Sequence, residues 1–229
     1  MEFKSFTYIG ILSVTFIIPI ILEYRKSTGF FYNLKYLLPA ILFSGAIYII
    51  WDLRFEEKSI WVFNHEFLTG INILNLPLEE WIYFFIIPFL GIFIYEFVKH
   101  RFKNFEYPKV FVALSLVLLV LFGTIAYSSR QKLYPFFTFF LLTIYLGYTI
   151  FRNRFKVHFS KFYLAYFILV IPFIIINGTV TSLPVIEYNP AHILGIHLYT
   201  IPVENFASLF LLFIMNVTIY EYLKERRIY

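Results

Sequence analysis

Four acidic residues stand beside long apolar runs, where a carboxylate is costly unless it is paired or protonated. Glu79 and Glu80 precede the run after "LPLEE", Glu204 precedes the run after "IPVEN", and Asp52 ends the run "AIYIIWD". A carboxyl group in apolar surroundings can keep its proton, and can therefore act as an acid or a base. We take these four residues as candidate catalytic residues.

The glutamates also have a purely structural interpretation. An acid that follows a proline in the first turn of a helix is stabilised by the helix dipole, by about 0.3–1 kcal/mol. The functional interpretation is favoured because the motif occurs twice in the chain.

A shift of 125 residues superimposes much of the chain on itself. Asp52 then falls on Asn177, Glu79 on Glu204, and "IYEFVKHR" (94–101) on "IYEYLKER" (219–226). Such self-similarity predicts an internal duplication, and it collects the acids and amides into one layer. The residues that flank the acids in this layer are candidate substrate contacts; the tryptophans among them either offer aromatic faces to a cation or belong to an interfacial aromatic belt. They are Trp51, Trp81, Asn177 and Asn205.

The elements that must position this layer are membrane helices. Of the 229 residues, 60% are hydrophobic and 14% charged, whereas a soluble domain carries roughly 25% charged residues. Seven apolar segments are long enough to span a bilayer: about 5–24, 34–52, 77–98, 109–129, 133–151, 161–181 and 202–223. The predicted fold is an all-α membrane bundle of two parallel three-helix repeats, residues 1–104 and 131–229, joined by a central transmembrane helix in 105–130.

Positive charge predicts the orientation of the bundle. Of 19 Lys and Arg residues, one side carries only Lys4, Arg54, Lys58, Arg130 and Lys132. The basic side is normally cytoplasmic, so we expect an integral protein of the cell inner membrane with its N-terminus outside and its C-terminus in the cytoplasm. At that basic end, Glu96 with Lys99 and Glu221 with Lys224 are expected to form ion pairs along single helices. No nucleic acid partner is expected, because the basic residues set topology.

Several classes of site are excluded by what the sequence lacks. It has no cysteine, one aspartate, no G-x-G motif and no lysine inside the last apolar segment. Thiolate chemistry, Asp-rich magnesium sites, dinucleotide-binding sites and a retinal Schiff base are therefore not supported. The five histidines show no metal-ligand spacing. We expect no metal and no cofactor.

The motifs "WD" (51–52), "LPLEEWIYFF" (76–85) and "IPVENF" (201–206) resemble those of membrane-type carotenoid cyclases. That family carries Pro-x-Glu followed by an acid once per half, and nearly the whole chain resembles its fused form. The second copy departs from the pattern, because Asn205 stands where the family has an acid.

The resemblance implies a lycopene β-cyclase, an intramolecular lyase or isomerase that acts on a lipid-soluble carotene within membrane lipids. An acid would protonate the linear end of the carotene, the cation would close a ring, and a carboxylate would remove a proton. Glu79 and Glu204 are expected to share these two roles. Two alternatives stay open: a small proton-coupled transporter and a carotenoid-binding protein without turnover. Association with itself or with other carotenoid-pathway enzymes is also left open.

Overall fold

The computed structural model describes residues 3–26 and 29–226, so Arg227, which contributes to the predicted orientation, lies outside the described residues. Within that part of the chain, seven helices are long and apolar enough to cross a membrane, which confirms the prediction. They are α1 (Thr7–Lys26), α2 (Leu34–Glu56), α3 (Leu78–Arg101), α4 (Pro108–Ser128), α5 (Leu133–Phe151), α6 (Phe159–Ser182) and α7 (Val203–Glu225).

The helices pack in equivalent pairs, as a duplicated chain should. Helix α1 packs on α3 as α5 packs on α7, and α3 contacts α6 as α7 contacts α2. Helices α3 and α7 lie at the centre and are the most buried, whereas α4 packs mainly on α5 and is the most exposed. The two central helices therefore carry their first-turn acids into the middle of the bundle.

Helices α3 and α7 both begin directly after a proline, Pro77 or Pro202. Each proline also ends a two-residue strand of a small hairpin: β2 (Asn72–Ile73) pairs with β3 (Leu76–Pro77), and β5 (His197–Leu198) pairs with β6 (Ile201–Pro202). A proline cannot donate a backbone hydrogen bond, so it suits a strand end that leads into a helix. The sequence thereby fixes where the first turn, with its acids, begins.

The two long loops join each other across the repeats. Strand β1 (Trp61–Phe63) pairs antiparallel with β4 (Ile186–Tyr188), and Trp61 lies opposite Tyr188. After each strand an asparagine caps a short 3-10 helix: the side chain of Asn64 accepts from the N–H of Glu66 at 3.1 Å, and that of Asn189 from Ala191 at 3.0 Å. The β1–β4 ribbon is a roof over the end of the bundle that holds Asp52.

At the opposite end, the ion pairs form between repeats, so the expectation of pairs along single helices was incomplete. Lys99 Nζ lies 2.5 Å from Glu221 Oε1 but 3.7 Å from Glu96 Oε1. Lys224 Nζ lies 3.0 Å from Glu96 Oε1. The central helices α3 and α7 approach each other here, which brings each lysine to the other helix's acid.

Candidate functional site

A cavity of about 70 Å³ lies beneath the β1–β4 ribbon and is lined by both repeats. The carboxyl groups of Asp52 and Glu80 face it from one repeat, and the amides of Asn177 and Asn205 from the other. All four side chains are buried. The rest of the lining is largely aromatic: Tyr8, Tyr48, Trp51, Trp61, Phe63, Tyr83, Phe84, Tyr134, Phe173 and Tyr188.

Glu80 is held by a hydrogen bond from the first helix. The Tyr8 hydroxyl donates to Glu80 Oε1 at 2.8 Å, and both side chains are buried. Asp52 lines the same cavity as Glu80. Two buried carboxyl groups that line one small cavity disfavour double ionisation, because like charges repel strongly away from bulk water. The pair is therefore suited to hold one proton between them.

The second repeat reproduces this arrangement with amides. The Tyr134 hydroxyl donates to Asn205 Oδ1 at 2.7 Å, as Tyr8 donates to Glu80. Asn205 Nδ2 in turn donates to the Tyr188 hydroxyl at 2.8 Å. Burial raises the pKa of Tyr188, which keeps its phenol neutral. The acids thus lie on one side of the cavity, and the other side is polar but uncharged.

Glu79 and Glu204, predicted to be donor and acceptor, do not line the cavity. Glu79 Oε1 accepts from the backbone N–H of Thr69 at 2.7 Å, and Glu204 Oε1 accepts from that of Leu194 at 2.5 Å. Both side chains are fully buried, and the second oxygen of each has no hydrogen-bond partner among the described residues. On α3 the side chain of Glu79 therefore points to the loop that carries Thr69, whereas that of Glu80 points into the cavity.

A family model described as lycopene cyclase matches residues 5–98 and 131–223. The matched regions contain both three-helix repeats and cover most of the chain. The chain belongs to the lycopene cyclase family. Searches of curated proteins and of solved structures gave no significant match.

Membership in the lycopene cyclase family implies a membrane enzyme of carotenoid biosynthesis with a lipid-soluble carotene substrate. The two matches start 126 residues apart (131 − 5) and end 125 apart (223 − 98). The first helices of the repeats therefore align with one additional residue, which places Tyr8 opposite Tyr134. Their equivalent hydrogen bonds to positions 80 and 205 agree with this alignment.

Of the two tryptophans predicted to contact substrate, only one lines the cavity. Trp51 lines the cavity and stacks on Tyr48 with ring centroids 5.4 Å apart. Trp81 does not line the cavity: its indole N–H donates to the Ile73 carbonyl of the β2–β3 hairpin at 3.3 Å. It follows Glu80 by one residue on α3, but its side chain points to the hairpin instead of into the cavity.

The tyrosines that line the cavity were missed by sequence reasoning. The chain has 19 tyrosines, so composition cannot distinguish those that line a site. The position of Tyr8 could have been found by extending the internal alignment into the first helix with a one-residue gap. Within the described residues, no group of three or more His, Asp and Glu side chains is placed to hold a metal ion.

Proposed function

We propose that the chain is a lycopene β-cyclase that closes a linear ψ end group into a β-ring without net oxidation or reduction. A proton is added at C2, which leaves a tertiary cation at C1. The 5,6 double bond then forms the C1–C6 bond and moves the cation to C5. Loss of the C6 proton gives the ring double bond, so one proton enters and one leaves.

The observation that carries the proposal is the pair of buried carboxyl groups, Asp52 and Glu80, in one aromatic cavity. Glu80 accepts a hydrogen bond from Tyr8, which stabilises its ionised form. Asp52 has no such bond to another described residue and is the better proton holder. We assign Asp52 as the proton donor and Glu80 as the acceptor; the proton returns to Asp52 before the next turnover.

The aromatic lining supports the carbocation steps. A cation over the face of a Trp or Tyr ring is stabilised by about 0.5–2 kcal/mol, most strongly where water is excluded. Trp51 and Tyr48 stack beside Asp52, and Trp61 lies edge-on to Tyr134 with centroids 5.3 Å apart. The β1–β4 ribbon lies over these rings, and we propose that it keeps out the water that would otherwise capture the cation as an alcohol.

The size of the cavity requires the enzyme to open. A cavity of about 150 Å³ holds benzene, whereas this cavity measures about 70 Å³. A trimethylated ring is larger than benzene, so side chains or the loops above must move apart when the end group enters. Glu79 and Glu204 anchor those loops through Thr69 and Leu194, and we propose that they position the roof instead of transferring protons.

We further propose that the cavity end faces outward across the cell inner membrane, with the C-terminus in the cytoplasm. The support is the distribution of charge: few Lys and Arg residues lie in the loops beside the cavity, and most lie at the opposite end. The orientation can be tested with reporter fusions at each terminus.

Expression in a lycopene-accumulating bacterium tests the function. We expect chromatography to show monocyclic and bicyclic carotenes in place of lycopene. When the reaction is run in D₂O, each new ring should carry one deuterium, because a carboxyl proton exchanges with solvent before it reaches C2. Pigment that co-purifies with the protein but stays linear would indicate a binding protein and refute the cyclase.

A further inference from the structure

An apolar groove of about 660 Å³ lies between α1 and α6, with α3 as its floor. Its floor residues Leu90 and Phe93 are buried, whereas Val14 and Ile171 on its walls are more than half exposed. It runs along α1 from Gly10 to Leu22, about 18 Å at 1.5 Å per residue. The groove is open to the bilayer and offers almost no polar surface.

Comparison of the two repeats shows that the small residues that open the groove occur in the first repeat and not in the second. Gly10, Ile11 and Val14 of α1 align with Phe136, Phe137 and Phe140 of α5 at the offset of 126. The Phe136 and Phe140 rings stack with centroids 5.5 Å apart, and Phe137 contacts Phe55 of α2. The equivalent seam thus carries aromatic rings, whereas a Cβ atom at Gly10 would meet no atom within 4 Å.

The groove lies next to the acidic cavity. Tyr8 lines the cavity and Gly10 lines the groove, two residues along α1. On α6, Asn177 lines the cavity and Thr179 lines the groove. One turn earlier, Phe173 lines the cavity and Pro172 lines the groove. Both helices therefore connect the two spaces within one turn.

We propose that this groove binds the linear polyene chain of the carotene while its end group reacts in the cavity. The inference rests on the proposed function, which requires a long rigid hydrocarbon to lie somewhere beside a small cavity. Lipid tails are as apolar as the groove, so the groove binds such a chain through van der Waals packing along its length, and it offers no polar group to be left unpaired. The phenylalanines at the equivalent seam of the second repeat take the place of the small residues that open this groove, so we expect the polyene to bind on this side, beside Glu80 and Tyr8.

The test fills the groove with the residues of the other repeat. Gly10→Phe and Val14→Phe place rings in the open space, and Val120→Phe on the exposed face of α4 is the matched control. Each is measured for lycopene turnover in membranes. Each is also combined with Glu80→Gln and purified from lycopene-accumulating cells, and the pigment bound per protein is read from absorbance.

We expect both groove variants to lower bound pigment and kcat/KM by roughly tenfold or more, mainly through KM, while Val120→Phe matches the parent. A variant that unfolds at the same temperature as the parent protein is folded. Two groove variants are made so that the test remains possible if one of them does not fold. Unchanged pigment and turnover in the folded groove variants would overturn the proposal. If the parent protein binds lycopene but leaves it linear, the proposed cyclase function is refuted. The ratio of pigment to protein in the groove variants still tests whether the polyene binds in the groove.

Discussion

The assignment of the acid and the base can be tested by making the same Glu→Gln substitution at the neighbouring residues Glu79 and Glu80. Glu80→Gln removes the ionisable proton from a side chain that lines the cavity, whereas Glu79→Gln does so from one that contacts a loop backbone. Loss of a general acid or base lowers turnover by about 10²–10⁴-fold. We expect that loss for Glu80→Gln and likewise for Asp52→Asn.

Glu79→Gln should keep most of its activity, because a glutamine oxygen can still accept from the Thr69 N–H. The amide nitrogen then takes the place of Oε2, which has no partner among the described residues. Glu79→Ala removes the acceptor of the partly buried Thr69 N–H, which costs up to about 1–3 kcal/mol and loosens the roof. Glu204, which holds the Leu194 N–H, should follow the same order, with Gln tolerated and Ala harmful.

The assay is carotenoid profile by chromatography per amount of membrane-inserted protein, with folding checked by thermal unfolding in detergent. The sequence-based hypothesis, in which Glu79 and Glu204 transfer the protons, predicts the opposite order of the glutamine variants. If Glu79→Gln is inactive and Glu80→Gln keeps near wild-type turnover, the assignment drawn from the cavity is refuted.

Three further outcomes are expected. Tyr8→Phe should lower turnover about tenfold, because a hydrogen bond to a charged group contributes about 1.5–3 kcal/mol. Tyr134→Phe removes a donor to an amide and should have a smaller effect. Equal losses in the two variants would contradict the difference in charge between the two sides of the cavity. A disulfide between Val62→Cys and Glu187→Cys, paired across β1 and β4 in a chain without native cysteine, should inhibit the enzyme until it is reduced if the roof must open; full activity in the oxidised form would argue against that movement. A time course should show a monocyclic carotene rising before the bicyclic product, since one acid–base pair treats one end per binding event; synchronous appearance of the bicyclic product alone would disagree.

The fold was predictable from sequence because the patterns that specify it extend over many residues. Apolar runs the length of a bilayer and a 125-residue self-similarity leave few alternatives to seven helices in two repeats. The site was predictable as a layer but not residue by residue. Glu79 and Glu80 differ by one helical step, and only the packing of α3 decides which of them meets the cavity and which meets a loop.

The loops were harder, because pairing between residues 61–63 and 186–188 joins segments distant in sequence, and short strands give little signal. The crossed ion pairs were missed for a related reason. Lys99 is three residues from Glu96, so local spacing suggests a pair along one helix, but the approach of α3 to α7 gives it Glu221 at shorter range. Long-range geometry, not residue type, decides both features.

The crossed ion pairs have a consequence for how the two halves recognise each other. Each central helix carries the same Glu and Lys, so two identical halves would match charge as well as the natural pair does. The residues of the cavity, and not the ion pairs, distinguish the natural pairing of a first half with a second half from a pairing of identical halves. A homodimer of first halves would crowd four carboxyl groups into one dry space, and a homodimer of second halves would contain amides but no acid. Helix α4, which joins the halves in one polypeptide, fixes a one-to-one stoichiometry that the charges at the other end do not specify.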